Sequence, residues 1–190
     1  GPCAVMLRVR SQSPVLVCLN LQRAYTDPRD ECYAPQSTAA LVHAGACLAW
    51  ARRQEMPVWH VHTRTPGPRS APIPGFEPRP NERLLMKRSW SLFDSADVAR
   101  ARPPLQHAFV LGFTAVKDCV AAAIDAERTG VQLVFVTDAI ASSSLPNQPA
   151  ELVDSMMASL LGEWAVTVTT ADLLRREPQS ISCEEPRFER

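Results

Sequence analysis

The sequence predicts an α/β protein: a parallel sheet with helices on both faces. Two observations point there. From residue 14 onward, apolar runs of strand length alternate with stretches of helical periodicity. The runs are near-continuous rather than alternately polar and apolar, the mark of strands buried on both faces. The 190 residues, 46% of them hydrophobic, suffice for one sizeable core. The expected organisation is one Rossmann-like domain over residues 3–176, then an irregular tail over 177–190.

The elements follow in order. Residues 14–21, PVLVCLNL, read as a buried strand, and 37–54 as a helix with Leu41, Gly45, Leu48 and Arg52 along one face. Residues 56–63, MPVWHVHT, are a second strand. The Pro- and Gly-rich stretch 65–82 argues against regular structure there, and long loops in compact domains often serve function. RLLMKR (83–88) reads as a short strand and HAFVLGF (107–113) as another. Residues 118–129 form a helix with Gly130 as its C-terminal cap. A buried strand over 131–140, a helix over 147–164, a last strand in AVTVTT and a short helix in ADLLRR complete the chain.

Twenty basic residues balance twenty acidic ones, so the electrostatic footprint of nucleic-acid or anionic-membrane binding is missing. A small molecule is the expected ligand. No apolar run approaches the roughly 18 residues of a membrane span. The six cysteines form no CxxC pair, and several fall in strands or helices where they pack as small apolar residues. That is the pattern of a reduced, cytoplasmic protein. Gly1-Pro2 reads as a tag remnant.

Parallel sheets of this class bind ligands beyond the carboxyl ends of their strands. The residues there are Asn20 and Gln22, His62 and Arg64, Lys87, Thr114 to Cys119, and Asp138.

Four stretches in this order carry a family resemblance: VLVCLNLQ, MKRSWSLF, LGFTAVKDCVAAAIDAERTG and VFVTDAIASS. From about residue 14 to 175 the chain resembles the isochorismatase-like, or cysteine hydrolase, superfamily. That resemblance implies an Asp, Lys, Cys triad. Lys87 matches the lysine, whereas Asn20 stands where the family has its aspartate. The family turn places the cysteine six residues after a glycine, an Asp-Ala pair seven further on, and a glycine five beyond that Asp. Counted from Gly112, these landmarks fall on Asp118, Asp125-Ala126 and Gly130 without a gap. Asp118 therefore takes the nucleophile's position. A bulge in the turn offset by a deletion in the helix would instead put Cys119 there, as the alternative nucleophile.

The resemblance also implies an oxyanion hole from the backbone N–H groups of Thr114 and Asp118, beside a cis peptide at Phe113-Thr114. With the family's base absent, Asp118 would have to serve as base or nucleophile. A helix N-terminus and nearby Lys87 would both favour its ionised form. Asn20 in turn avoids aiming a second carboxylate at the pocket and offers an NH2 donor.

Gln22, His62, Trp90 and Phe93 are the candidate pocket residues. His60 and His62 lie two apart on a strand, hence on one face, but His43 and His107 fall on other elements, so no metal site is expected. No cofactor is implied. Arg64, Arg79 and Arg88 are expected to be ordinary surface residues, and the loop around Phe76 to cover the site or meet a neighbouring subunit. Family members commonly form homo-oligomers. Two readings of function result: a hydrolase of a small amide, imide, ester or ether using Asp118, Lys87 and Asn20, or a catalytically silent member that binds a metabolite or partner protein.

Overall fold

A computed structural model describes residues 13–176. Gly1-Pro2, Cys3, Cys183 and the predicted tail lie outside them. Six strands form one sheet in the order β3-β2-β1-β4-β5-β6, every neighbouring pair parallel. In chain order these are β1 (Val15–Leu19), β2 (Val58–Thr63), β3 (Arg83–Lys87), β4 (His107–Phe113), β5 (Gln132–Ala141) and β6 (Val166–Val168).

Two apolar cores lie on opposite faces, because successive side chains of a strand point to opposite sides. Leu16, Cys18, Phe109 and Leu111 pack against α1 (Ser37–Arg53), with Leu173 of α5 (Thr170–Leu174) in the same cluster. Val17, Leu19, Val110 and Phe135 face α2 (Ala96–Arg100), α3 (Val120–Thr129) and α4 (Ala150–Trp164), which contribute Val98, Ala122, Ala126 and Leu161.

The expected face of α1 is displaced. Its buried residues include Ala40, Ala44, Cys47, Leu48 and Ala51, while Leu41 is only partly buried and Arg52 turns to an ion pair with Glu82. Small side chains let this helix lie close on the sheet, which a search for large apolar residues overlooks. Helix α2 has no strong periodicity in so short a segment; Ser95 caps it, accepting from Val98 N–H at 3.2 Å. The loop over 65–82 contains one 3-10 turn, Pro68–Ser70. It is tied down at its ends: Gln22 donates to Ser70 O, and Glu82 binds Arg52 and His60. Phe76, expected near the site or a neighbour, packs on the α1 core.

Gly112 fixes the centre of the sheet. Its φ is +113°, and a Cβ there would fall 2.0 Å from Leu19 O. Only glycine lets β4 approach the end of β1 so closely. The β4–β5 register shifts between Val110 and Gly112, and the chain then turns toward α3. Gly130, at φ +73°, ends α3 as its left-handed cap.

Candidate functional site

The site lies where β1, β2, β3 and β4 end side by side. Asn20 follows β1 with φ +53°, a left-handed conformation that asparagine tolerates better than most residues. Lys87 ends β3, and its side chain is buried. Between β4 and α3 the chain makes a wide π turn over Ala115–Cys119, in which Cys119 N–H reaches back to Thr114 O at 3.0 Å. The Phe113-Thr114 peptide is cis.

Asp118 and Cys119 diverge as neighbours on a helical turn must. Asp118 meets the lysine: Lys87 Nζ donates to its Oδ1 at 2.6 Å. Cys119 is fully buried in the core facing α3 and α4. Burial pushes its thiol well up from the ordinary value, with the Asp118 charge adding to the effect and Lys87 opposing it. A thiol so placed packs as a small apolar group.

The Asp118 carboxylate is surrounded by donors. Oδ1 accepts from Lys87 Nζ and, at 2.9 Å, from Asn20 Nδ2. Oδ2 accepts from Thr114 N–H at 2.9 Å and from the Thr114 hydroxyl at 3.0 Å. A carboxylate offers about four acceptor positions, and here four donors fill them. Thr114 N–H, expected to receive a substrate oxyanion, is thus engaged by the chain's own Asp118.

The donors are themselves held. Lys87 Nζ also donates to Ser89 O and Trp90 O, both at 3.0 Å, so its three protons are all used. Asn20 Nδ2 donates to Phe113 O at 2.7 Å, and Asn20 Oδ1 accepts from Thr63 N–H at 3.1 Å and Thr63 Oγ1 at 2.8 Å. Tyr25 stacks on Phe113 with ring centroids 5.8 Å apart. Burial, then the nearby Asp118 charge, pushes its phenol up.

The structure brings Asn20, Lys87, Thr114 and Asp118 together, whereas the side chains of the expected pocket residues have other partners or surroundings. Gln22 is buried, donating to Thr63 O and Ser70 O and accepting from Thr63 N–H, so it fastens the loop to the sheet. His62 is buried on the α1 side of β2 with Nε2 unpartnered; burial, then His60, holds it down at about 4. His60 bonds Glu82 at 3.0 Å. Among the described residues no group of three His, Cys, Asp or Glu is placed to hold a metal ion. Arg64, Arg79 and Arg88 are exposed.

Trp90 is 63% exposed, beside Lys117 Nζ, and Phe93 is half-buried against the second core. A cleft of about 470 Å³, lined by Ser89, Trp90, Ser91, Ile124, Asp125 and Arg128 among others, opens on this side and includes neither Lys87 nor Asp118. Sequence reasoning missed Thr63 and Tyr25. Thr63 ends β2 and was reachable from the strand-end rule, but the adjacent histidines carry the more familiar chemistry. Tyr25 lies five residues beyond Asn20 with no motif around it.

A family model described as the isochorismatase domain matches residues 14–172. No curated protein matches the chain. Among solved structures, an isochorismatase from Pseudomonas putida is 20% identical, with 84% of this chain and 89% of that one covered and a TM-score of 0.74. A cysteine hydrolase from Pseudomonas syringae pv. phaseolicola is 18% identical, covering 85% and 90%, with a TM-score of 0.75. N-carbamoylsarcosine amidase from Thermoplasma acidophilum is 18% identical, covering 84% and 97%, with a TM-score of 0.65. At these identities the likeness is one of fold. Among the described residues no helix is long and apolar enough to cross a membrane.

Proposed function

The chain belongs to the isochorismatase family of hydrolases, and from that premise we propose that it is a catalytically silent member, which binds a small metabolite or a partner protein while its own carboxylate closes the catalytic position. The observation that carries this reading is the saturation of Asp118. A general base or nucleophile needs a lone pair aimed at its target. Both Asp118 oxygens already accept from two donors each. Asn20 supplies no carboxylate in its place, and Cys119 is sealed in the core.

A second reading is hydrolysis by Asp118 of a small amide, imide, ester or ether. It draws support from the Lys87–Asp118 ion pair at 2.6 Å, which keeps a charged pair where the family resemblance puts the nucleophile. A panel of such substrates decides between the two. The silent reading expects no turnover above background from the wild type, together with a ligand-dependent rise in melting temperature. Turnover abolished in Asp118→Ala and kept in Cys119→Ala would establish the second reading instead. The family resemblance further supports a cytoplasmic homo-oligomer.

A further inference from the structure

The four groups that hold Asp118 make a receptor in their own right. We propose that Lys87, Asn20 and Thr114 form a preorganised site for a small free carboxylate, with Asp118 as its tethered occupant, so that shortening residue 118 converts the site into a binder of formate or acetate. The inference concerns the donors rather than the reaction, and it is independent of whether Asp118 turns over a substrate.

Three of the four donors keep their positions for reasons that do not involve Asp118; the Thr114 hydroxyl, which bonds Asp118 Oδ2, is the exception. Ser89 O and Trp90 O hold Lys87 Nζ at 3.0 Å each. Thr63 N–H and Oγ1 fix the Asn20 amide from one side and Phe113 O from the other, so its NH2 cannot turn away. Thr114 N–H is a backbone group set by the end of β4. When the carboxylate is removed, these donors continue to converge on the space it filled. They include the Lys87 amine, whose side chain is 0% exposed and which pairs with the Asp118 carboxylate in the intact chain. A buried ammonium without a counter-ion is strongly unfavourable, and a free anion that enters removes that penalty. Because the donors need no rearrangement, little of the gain is lost to ordering.

The sizes set the selectivity. Asp118→Ala deletes Cγ and both oxygens, the heavy atoms of formate. Asp118→Gly deletes Cβ as well, giving the heavy atoms of acetate. The alanine variant is therefore expected to prefer formate, and the glycine variant to accept acetate. Propionate fits neither.

The test is thermal unfolding of wild type, Asp118→Ala and Asp118→Gly across a titration of sodium formate, sodium acetate and sodium chloride at matched ionic strength. The expected result is a lower melting temperature in both variants. It is restored saturably by the size-matched carboxylate, with no such response in wild type or in the Lys87→Met, Asp118→Ala double variant. Should a variant not stay folded alone, the yield of soluble protein on refolding in formate against chloride reads the same property. Equal responses to carboxylate and chloride, or equal refolding yields, would overturn the proposal. So would a response that survives in the Lys87→Met background. Recovery of stability without turnover keeps this inference and the silent reading; recovery of turnover keeps this inference and refutes that reading.

Discussion

Asn20 donates from Nδ2 to Asp118 Oδ1 across 2.9 Å, which makes the residue after β1 and a residue of the turn that leads into α3 a complementary donor and acceptor. Thr63 determines the sense of the pair. Its N–H and hydroxyl both donate to Asn20 Oδ1, so only the NH2 end can face Asp118. The same NH2 satisfies Phe113 O.

Asn20→Asp should for that reason be destabilising at neutral pH. A carboxylate oxygen in place of Nδ2 would meet Phe113 O and Asp118 Oδ1, two acceptors, and one of the two acids would have to retain a proton. A folded-state pKa raised above the unfolded value of about 3.9 gives stability that is lost as pH rises through the raised value, about 1.4 kcal/mol per unit of the rise. Urea unfolding of this variant is expected to show a deficit of about 2 kcal/mol or more at pH 7.5, shrinking toward pH 5. A deficit that does not vary with pH would refute the close pairing.

Lys87 and Asp118 should be strongly coupled in stability. Their side chains are 0% and 6% exposed, so removing one charge strands the other in the interior. Lys87→Met is expected to cost about 3–5 kcal/mol. Combining it with Asp118→Asn removes the stranded charge, and the double variant should lose less than the sum of the two single losses, by about 1–3 kcal/mol. Chemical denaturation of the four proteins gives the cycle; additive losses would mean that the pair does not act as one unit.

Much of this arrangement was legible in the sequence because it depends on spacing. The interval from Gly112 to Asp118 and on to Gly130 selected the carboxylate over the adjacent thiol, and Lys87 at the end of a short strand completed the pair. What the sequence did not carry is how many donors each acceptor collects. Thr63 acts on Asn20 partly through its backbone N–H, and Ser89 and Trp90 act on Lys87 through carbonyls that every residue has. The wide turn over Ala115–Cys119 was hidden for the same reason: it is a matter of backbone pairing, not of residue type. The buried face of α1 escaped a reading based on large apolar residues because alanines line much of it.

Acid should weaken the fold well before the carboxylates titrate. Burial, followed by repulsion from His60, holds His62 at about 4 against an ordinary 6.5, and burial also lowers His60 and His107. Between those values the unfolded chain binds a proton at position 62 that the native chain does not. Stability is then complete above about pH 6.5 and falls as pH drops toward 4, by about 3 kcal/mol from His62. Glu82 enters lower: burial raises it, but Arg52, Arg79 N–H and His60 outweigh that and hold it at about 2. Its contribution is present above its ordinary 4.5 and is lost as pH falls through 2. Unfolding free energies at intervals from pH 7.5 to 4.5 should slope downward in wild type and clearly less in His62→Leu. Parallel slopes in the two proteins would remove His62 from the account.

The outer face of α4 bears on oligomeric state. Leu152, Met156, Leu160 and Trp164 recur every fourth residue and are 45%, 62%, 39% and 37% exposed, forming one apolar stripe. Val166, 53% exposed on the edge strand β6, follows on directly in the chain. Continuous apolar surface of this kind is usually covered by a partner. A second copy of the chain is the occupant to be expected from the family resemblance, and a twofold axis would set the stripe against itself. Sedimentation equilibrium should then give a mass of twice the chain or a higher multiple. Met156→Glu with Leu160→Glu places charges within the stripe without touching either core, and is expected to yield a folded monomer with an unchanged circular dichroism spectrum. A wild type that is already monomeric at the highest concentration measured, or a double variant that stays associated, would rule out this face as the interface.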